Sequence, residues 1–150
     1  MRNSKRINEV ASEKEGGGMF GVHGSAAGEF NQPYGVAFDS RNQRIVVSDS
    51  SNHRIQLFTK QGKHISSFGS PGTDHGQFYE TRGVCLQPAT NNILVVECSN
   101  NRVQVLSNSD LDSADEISFS HFIGASLCDD VPDQFKSPTG IDCDNRGRVM

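Results

Sequence analysis

Tryptophan is absent, proline occurs five times and cysteine four times in 150 residues. No apolar run approaches the roughly 18 residues that cross a bilayer, so no membrane-spanning helix is expected. No segment sustains a 3.6-residue apolar period. These absences exclude a membrane protein, a coiled coil and a collagen-like chain. The charged start, Met1 to Arg6, is followed by no apolar stretch, so no secretory signal is visible. Cys85, Cys98, Cys128 and Cys143 include no CxxC pair, and the five histidines show no HExxH spacing. Four free thiols in a reducing compartment, no metal and no cofactor are the expectation. What is present is glycine, 15 residues, with only 34% hydrophobic residues, a balance that favours turns over long helices.

Charge is uneven. The net charge is −4, yet residues 1–18 and 19–106 are nearly neutral, and the acidity sits in 107–150. Seven acids and no lysine or arginine fall between Asp110 and Asp133. The near-neutral middle carries no DNA-binding signal.

The strongest pattern is a repeat. Gly28-Glu29-Phe30-Asn31-Gln32-Pro33-Tyr34-Gly35-Val36 aligns with Gly76-Gln77-Phe78-Tyr79-Glu80-Thr81-Arg82-Gly83-Val84 at an offset of 48. The same offset carries Ser48-Asp49-Ser50-Ser51-Asn52-His53-Arg54-Ile55-Gln56 onto Val96-Glu97-Cys98-Ser99-Asn100-Asn101-Arg102-Val103-Gln104. A third copy begins at Gln134-Phe135 with an offset of 57, nine residues longer, the excess assigned to the polar stretch around Asn108 to Ser118. Each unit reads as four short strands, seen in the first as Val36–Phe38, Ile45–Val47, Arg54–Phe58 and His64–Phe68. Tight polar turns link them. Four tightly linked strands per repeat predict a propeller blade, which must stack on its neighbours to bury both faces. Two nearly complete blades and parts of others are expected, with the chain a fragment of a larger propeller.

The recurring string Gly-Glu/Gln-Phe-x-x-Pro-x-Gly, followed by Asp-x-x-Asn-x-Arg-Ile/Val-Gln, resembles the NHL repeat over residues 19–150. Its wording is most similar to the NHL propellers of tripartite-motif proteins, which carry a RING finger and B-boxes. Thr81 in place of Pro33, and Glu97 in place of Asp49, depart from the pattern. The resemblance implies an all-β partial propeller of four-stranded antiparallel blades, preceded by a flexible segment over 1–18 and interrupted by an acidic insertion around 107–120.

Most repeated residues read as structural. Phe30, Phe78 and Phe135 are expected as wedges between blades. Gly35, Gly83 and Gly140 mark close backbone approach or an unusual φ. Asp49, Asn52, Asn100, Arg54 and Arg102 fit a polar turn and its ion pair. Residues that differ between copies are the binding candidates: Tyr34, Arg82 and Thr139 before each blade glycine, with His53 and Asn101 in the turns. Tyr34 can stack on an unpaired base, and Arg82 can stack or meet a phosphate.

No nucleophile–base pair or phosphate-cradling loop is visible, so the chain is not read as an enzyme. Ligase chemistry in a tripartite-motif parent would come from a RING finger, whose dense Cys/His array this sequence lacks. The expected role is a cytoplasmic, non-catalytic module that binds a protein partner or ligase substrate. The alternatives are a single-stranded RNA-binding module in post-transcriptional regulation, or part of a metal-dependent propeller lyase or hydrolase.

Overall fold

The computed structural model describes residues 18–108, 117–124 and 135–150. The expected N-terminal segment, Gly18 apart, and most of the acidic stretch lie outside these residues.

Two four-stranded antiparallel sheets form the body. The first blade holds β1 (Pro33–Asp39), β2 (Arg44–Asp49), β3 (Arg54–Thr59) and β4 (His64–Phe68) in that order. A short parallel pair, β5 (Ser70–Pro71) with β6 (Gln77–Phe78), leads into the second blade. There β7 (Thr81–Leu86), β8 (Ile93–Glu97), β9 (Arg102–Asn108) and β10 (Ile117–Ile123) repeat the order. Alternation sets the faces: Arg54-Ile55-Gln56-Leu57 pairs along β2 in continuous register from Arg44↔Thr59 to Asp49↔Arg54. The third repeat begins another hairpin, closed by backbone bonds between Asp142 and Met150 and by the Cys143↔Val149 bridge.

Blades stack in one direction. Val46, Ile55 and Leu57, with Ala37 beside them, cover Val84, Ile93, Val95 and Leu106 of the second blade. The second blade's opposite face, Cys85, Leu94, Val96, Val103 and Val105, receives Ile141, Cys143 and Phe135 of the third repeat. The same-numbered strand positions therefore do the same work in both seams. Val36 and Phe38, the copies of buried Val84 and half-buried Leu86, stand 69% and 52% exposed on the outer side of the first blade.

Close packing fixes the glycines. A Cβ on Gly35 would lie 2.6 Å from the Arg82 carbonyl oxygen, and one on Gly83 would lie 2.9 Å from that of Thr139. Neither has a positive φ, so close approach rather than backbone conformation excludes a side chain there. Each of the three repeated phenylalanines sits against a second glycine: Phe30 on Gly21, Phe78 on Gly69, Phe135 on Gly124. These pairs divide the nine-residue excess of the third repeat. Gly69 to Gly124 spans 55 residues and Phe78 to Phe135 spans 57, so two of the nine fall after Gly124 and seven before it.

Polar clamps close both ends. Asp49 is fully buried; it accepts from Asn31 N (2.7 Å), Asn52 Nδ2 (2.8 Å), Arg54 Nε (2.8 Å) and Gln56 Nε2 (3.0 Å). Arg54 also donates to the carbonyls of Ser25, Ala26 and Glu29. Glu97 rebuilds the clamp in the second blade with Tyr79 N, Asn100, Arg102 and Gln104. At the far end, buried Asp39 joins the two blades, accepting from Asn91 Nδ2 (3.1 Å) and Asn108 Nδ2 (2.9 Å). Burial pushes the Asp39 carboxyl up. The hydrogen bonds from Asn108, Asn42 and Asn91 outweigh that and hold its pKa below the ordinary 3.8.

Candidate functional site

The candidate residues gather at one end of the sheets, where β2 turns into β3, β8 turns into β9, and β1 and β7 begin. Both inner strands break register at the same place, between Pro33 and Val36 and between Thr81 and Val84. Such a break takes a residue out of the ladder and re-aims its side chain. The residues inside the two breaks are Tyr34 and Arg82 with their glycines.

These two side chains meet across the first seam. The Arg82 guanidinium carbon stands 4.8 Å from the centre of the Tyr34 ring. One of its terminal nitrogens lies 3.8 Å from Glu80 Oε2, and Glu80 in turn accepts from Ser99 Oγ at 2.8 Å. Arg82 Nε is buried and has no hydrogen-bond partner among the described residues. The seam beneath is fixed by Ser48 Oγ, which accepts from Gly35 N (2.7 Å) and donates to the Arg82 carbonyl (2.5 Å). Tyr34 is 53% exposed and Tyr79 42%. Two tyrosine faces, an arginine and a glutamate thus share one outer surface.

His53 and Asn101 occupy equivalent turns and both adopt left-handed backbone, with φ of 53° and 51°. His53 Nδ1 accepts from Glu80 N at 3.2 Å, and its ring meets Tyr79 edge-on at 5.3 Å. Asn101 Oδ1 accepts from Ser137 N at 2.8 Å. Both side chains therefore latch their own blade to the link entering the next. Thr139 is exposed at the start of the third repeat, and its carbonyl accepts from Gly83 N at 2.8 Å. Tyr34, Arg82 and His53 are thus brought to the first seam, Asn101 and Thr139 to the second. Tyr79 and Glu80 escaped the sequence reading. Their signal was present, since Tyr79-Glu80 differs from its copies Asn31-Gln32 and Lys136-Ser137, as the chosen candidates differ from theirs.

Among the described residues, no three His, Cys, Asp or Glu side chains are grouped to hold a metal ion. Nor is any helix there long and apolar enough to cross a membrane.

Comparison with known proteins agrees with this geometry. The family model for the NHL repeat matches residues 30–58, a stretch that holds β1, β2, the Asp49 clamp and all but the last residue of β3. The chain is 47% identical over 47 residues to protein lin-41 of Caenorhabditis elegans, covering 31% of this chain and 4% of that protein. It is 48% identical over 44 residues to protein brain tumor of Drosophila melanogaster, covering 29% and 4%. It is also 48% identical over 44 residues to the B-box type zinc finger protein ncl-1 of C. elegans, covering 29% and 5%. The matched stretch is thus a small part of each relative's length. A solved streptogramin B lyase structure superposes with a TM-score of 0.53 at 18% identity, over 87% of this chain and 35% of the lyase; that likeness is one of fold alone. Repeat wording, blade topology and these matches converge: residues 30–58 match the NHL repeat, and over 44–47 residues the chain is similar to lin-41, brain tumor and ncl-1.

Proposed function

We propose that the chain is a non-catalytic binding module whose partner is a protein, received on the surface built by Tyr34, Arg82, Tyr79 and Glu80. The observation that carries this reading is the Tyr34–Arg82 stack, exposed on the ring and joined across two blades. Tyrosine and arginine supply large, stiff, amphipathic contact area and dominate protein–protein hot spots. The charge pattern supports a protein over a nucleic-acid backbone. Arg54 and Arg102 at this end are spent on the blade's own carboxylates and carbonyls, and Glu80 stands beside Arg82. In a longer parent this surface would present a substrate to catalytic domains elsewhere, and a cytoplasmic location belongs to the same reading.

Single-stranded RNA is the second reading, favoured by the exposed Tyr34 ring, a platform for one unpaired base. The test is co-purification from extracts with and without nuclease, using wild type, Tyr34→Ala and Arg82→Ala. Nuclease-resistant partners lost in both variants support the protein reading. Partners lost on nuclease treatment favour RNA, and partners retained by both variants overturn this surface as the site.

A further inference from the structure

Cys85 and Cys143 face each other across the second seam with their sulfurs 3.4 Å apart. Cys85 is buried on β7, the inner strand of the second blade, and Cys143 is half-buried in the third repeat. Both sit in the same packed cluster. In the first seam, the equivalent positions hold Ala37 and Leu86, which pack against the core there. Both members of one inter-blade contact are thus thiols in one seam only, a pairing that blade packing does not require.

We infer that Cys85 and Cys143 form a redox-sensitive thiol pair, which a low-molecular-weight disulfide such as oxidised glutathione converts into a bond locking the third repeat onto the second blade. Cys143, the more accessible, loses its proton and attacks the oxidant. One glutathione leaves as thiol and a mixed disulfide remains. Cys85 then loses its proton and attacks Cys143 Sγ, expelling the second glutathione. Two protein thiols and one oxidised glutathione give one protein disulfide and two reduced glutathiones. Burial, the hydrogen bond with Cys143 and the charges of Cys143 and Asp142 push the Cys85 thiol well above the ordinary range. This disfavours Cys85 as the first nucleophile; in the second, intramolecular step its small thiolate fraction is offset because its partner is already held in contact.

The test compares the reduced chain with the chain equilibrated in oxidised glutathione, each alkylated in denaturant and digested without reductant. The expected result is a Cys85–Cys143 cross-linked peptide, lost on treatment with dithiothreitol. The unfolding midpoint of the oxidised wild type should rise by about 5 °C or more, as closing a long loop predicts. Cys85→Ala and Cys143→Leu, which install the first seam's own residues, should fold and show no such rise. Both cysteines still alkylated after oxidation, or linked only to glutathione, Cys98 or Cys128, overturns the pairing. So does an equal rise in midpoint in the two variants.

Discussion

The side chain that Gly35 lacks would strike the carbonyl oxygen of Arg82 at 2.6 Å. The inner strands of neighbouring blades therefore pack backbone against backbone at the level of the candidate surface. This contact places Tyr34 and Arg82, the residues just before the two blade glycines, within stacking distance.

Gly35→Ala and Gly83→Ala should each destabilise the chain by roughly 1–3 kcal/mol, because the neighbouring backbone must move to admit a methyl group. Gly140→Ala should lie within about 0.5 kcal/mol of wild type. The physical difference is that a Cβ on Gly140 meets nothing within 4 Å. Urea unfolding of the three variants checks the order, and equal effects would contradict the stacking described.

The Asp49 clamp gives a second prediction. Removing a fully buried carboxylate takes the counter-charge from Arg54 and leaves Asn31 N, Asn52 and Gln56 one acceptor short. Asp49→Ala should therefore cost about 3–5 kcal/mol. Arg148→Ala, which breaks an ion pair to Asp144 at a largely exposed arginine, should leave the urea midpoint essentially unchanged. A small effect of Asp49→Ala would mean that the repeated acid is dispensable.

Acid should weaken the fold through Asp39. Its folded pKa is held below the ordinary 3.8 by the amides of Asn108, Asn42 and Asn91, despite burial. A carboxylate depressed in this way stabilises the fold at pH values above its unfolded pKa, and that contribution is lost as the pH falls through the folded value. Stability of the wild type should thus decline below about pH 4. Asp39→Asn should be less stable at neutral pH and lose less on acidification. Asp144, also held low by Arg148, contributes equally to both proteins and cancels in the comparison. Parallel urea midpoints for the two proteins from pH 7 to 2 would contradict this role.

The blades were legible in the sequence because each one repeats its local chemistry. An acid, an amide and an arginine at fixed spacing close every clamp, so Asp49-Ser50-Ser51-Asn52-His53-Arg54 announces itself beside Glu97 to Arg102. Contacts made once between blades left no such trace. Asp39 meets Asn91 and Asn108 from 52 and 69 residues away, and nothing in the local wording marks the three as partners. The thiol contact of Cys85 with Cys143 is hidden for the same reason. The candidate surface lies between these cases. Tyr34 and Arg82 stood out because they differ at a repeated position, but their stacking depends on the register breaks in β1 and β7. His53 and Asn101 also differ by copy, while the bond each makes across its seam is the same.

The most direct test of the binding surface is site-specific photo-cross-linking. A benzophenone amino acid would replace Tyr34 in one protein and Lys63, in the link between β3 and β4 at the other end of the blade, in a second. Both would be irradiated in nuclease-treated cell extract. The account predicts discrete protein adducts at position 34 that are absent at position 63. Equal adducts at the two positions, or none at position 34, would contradict it.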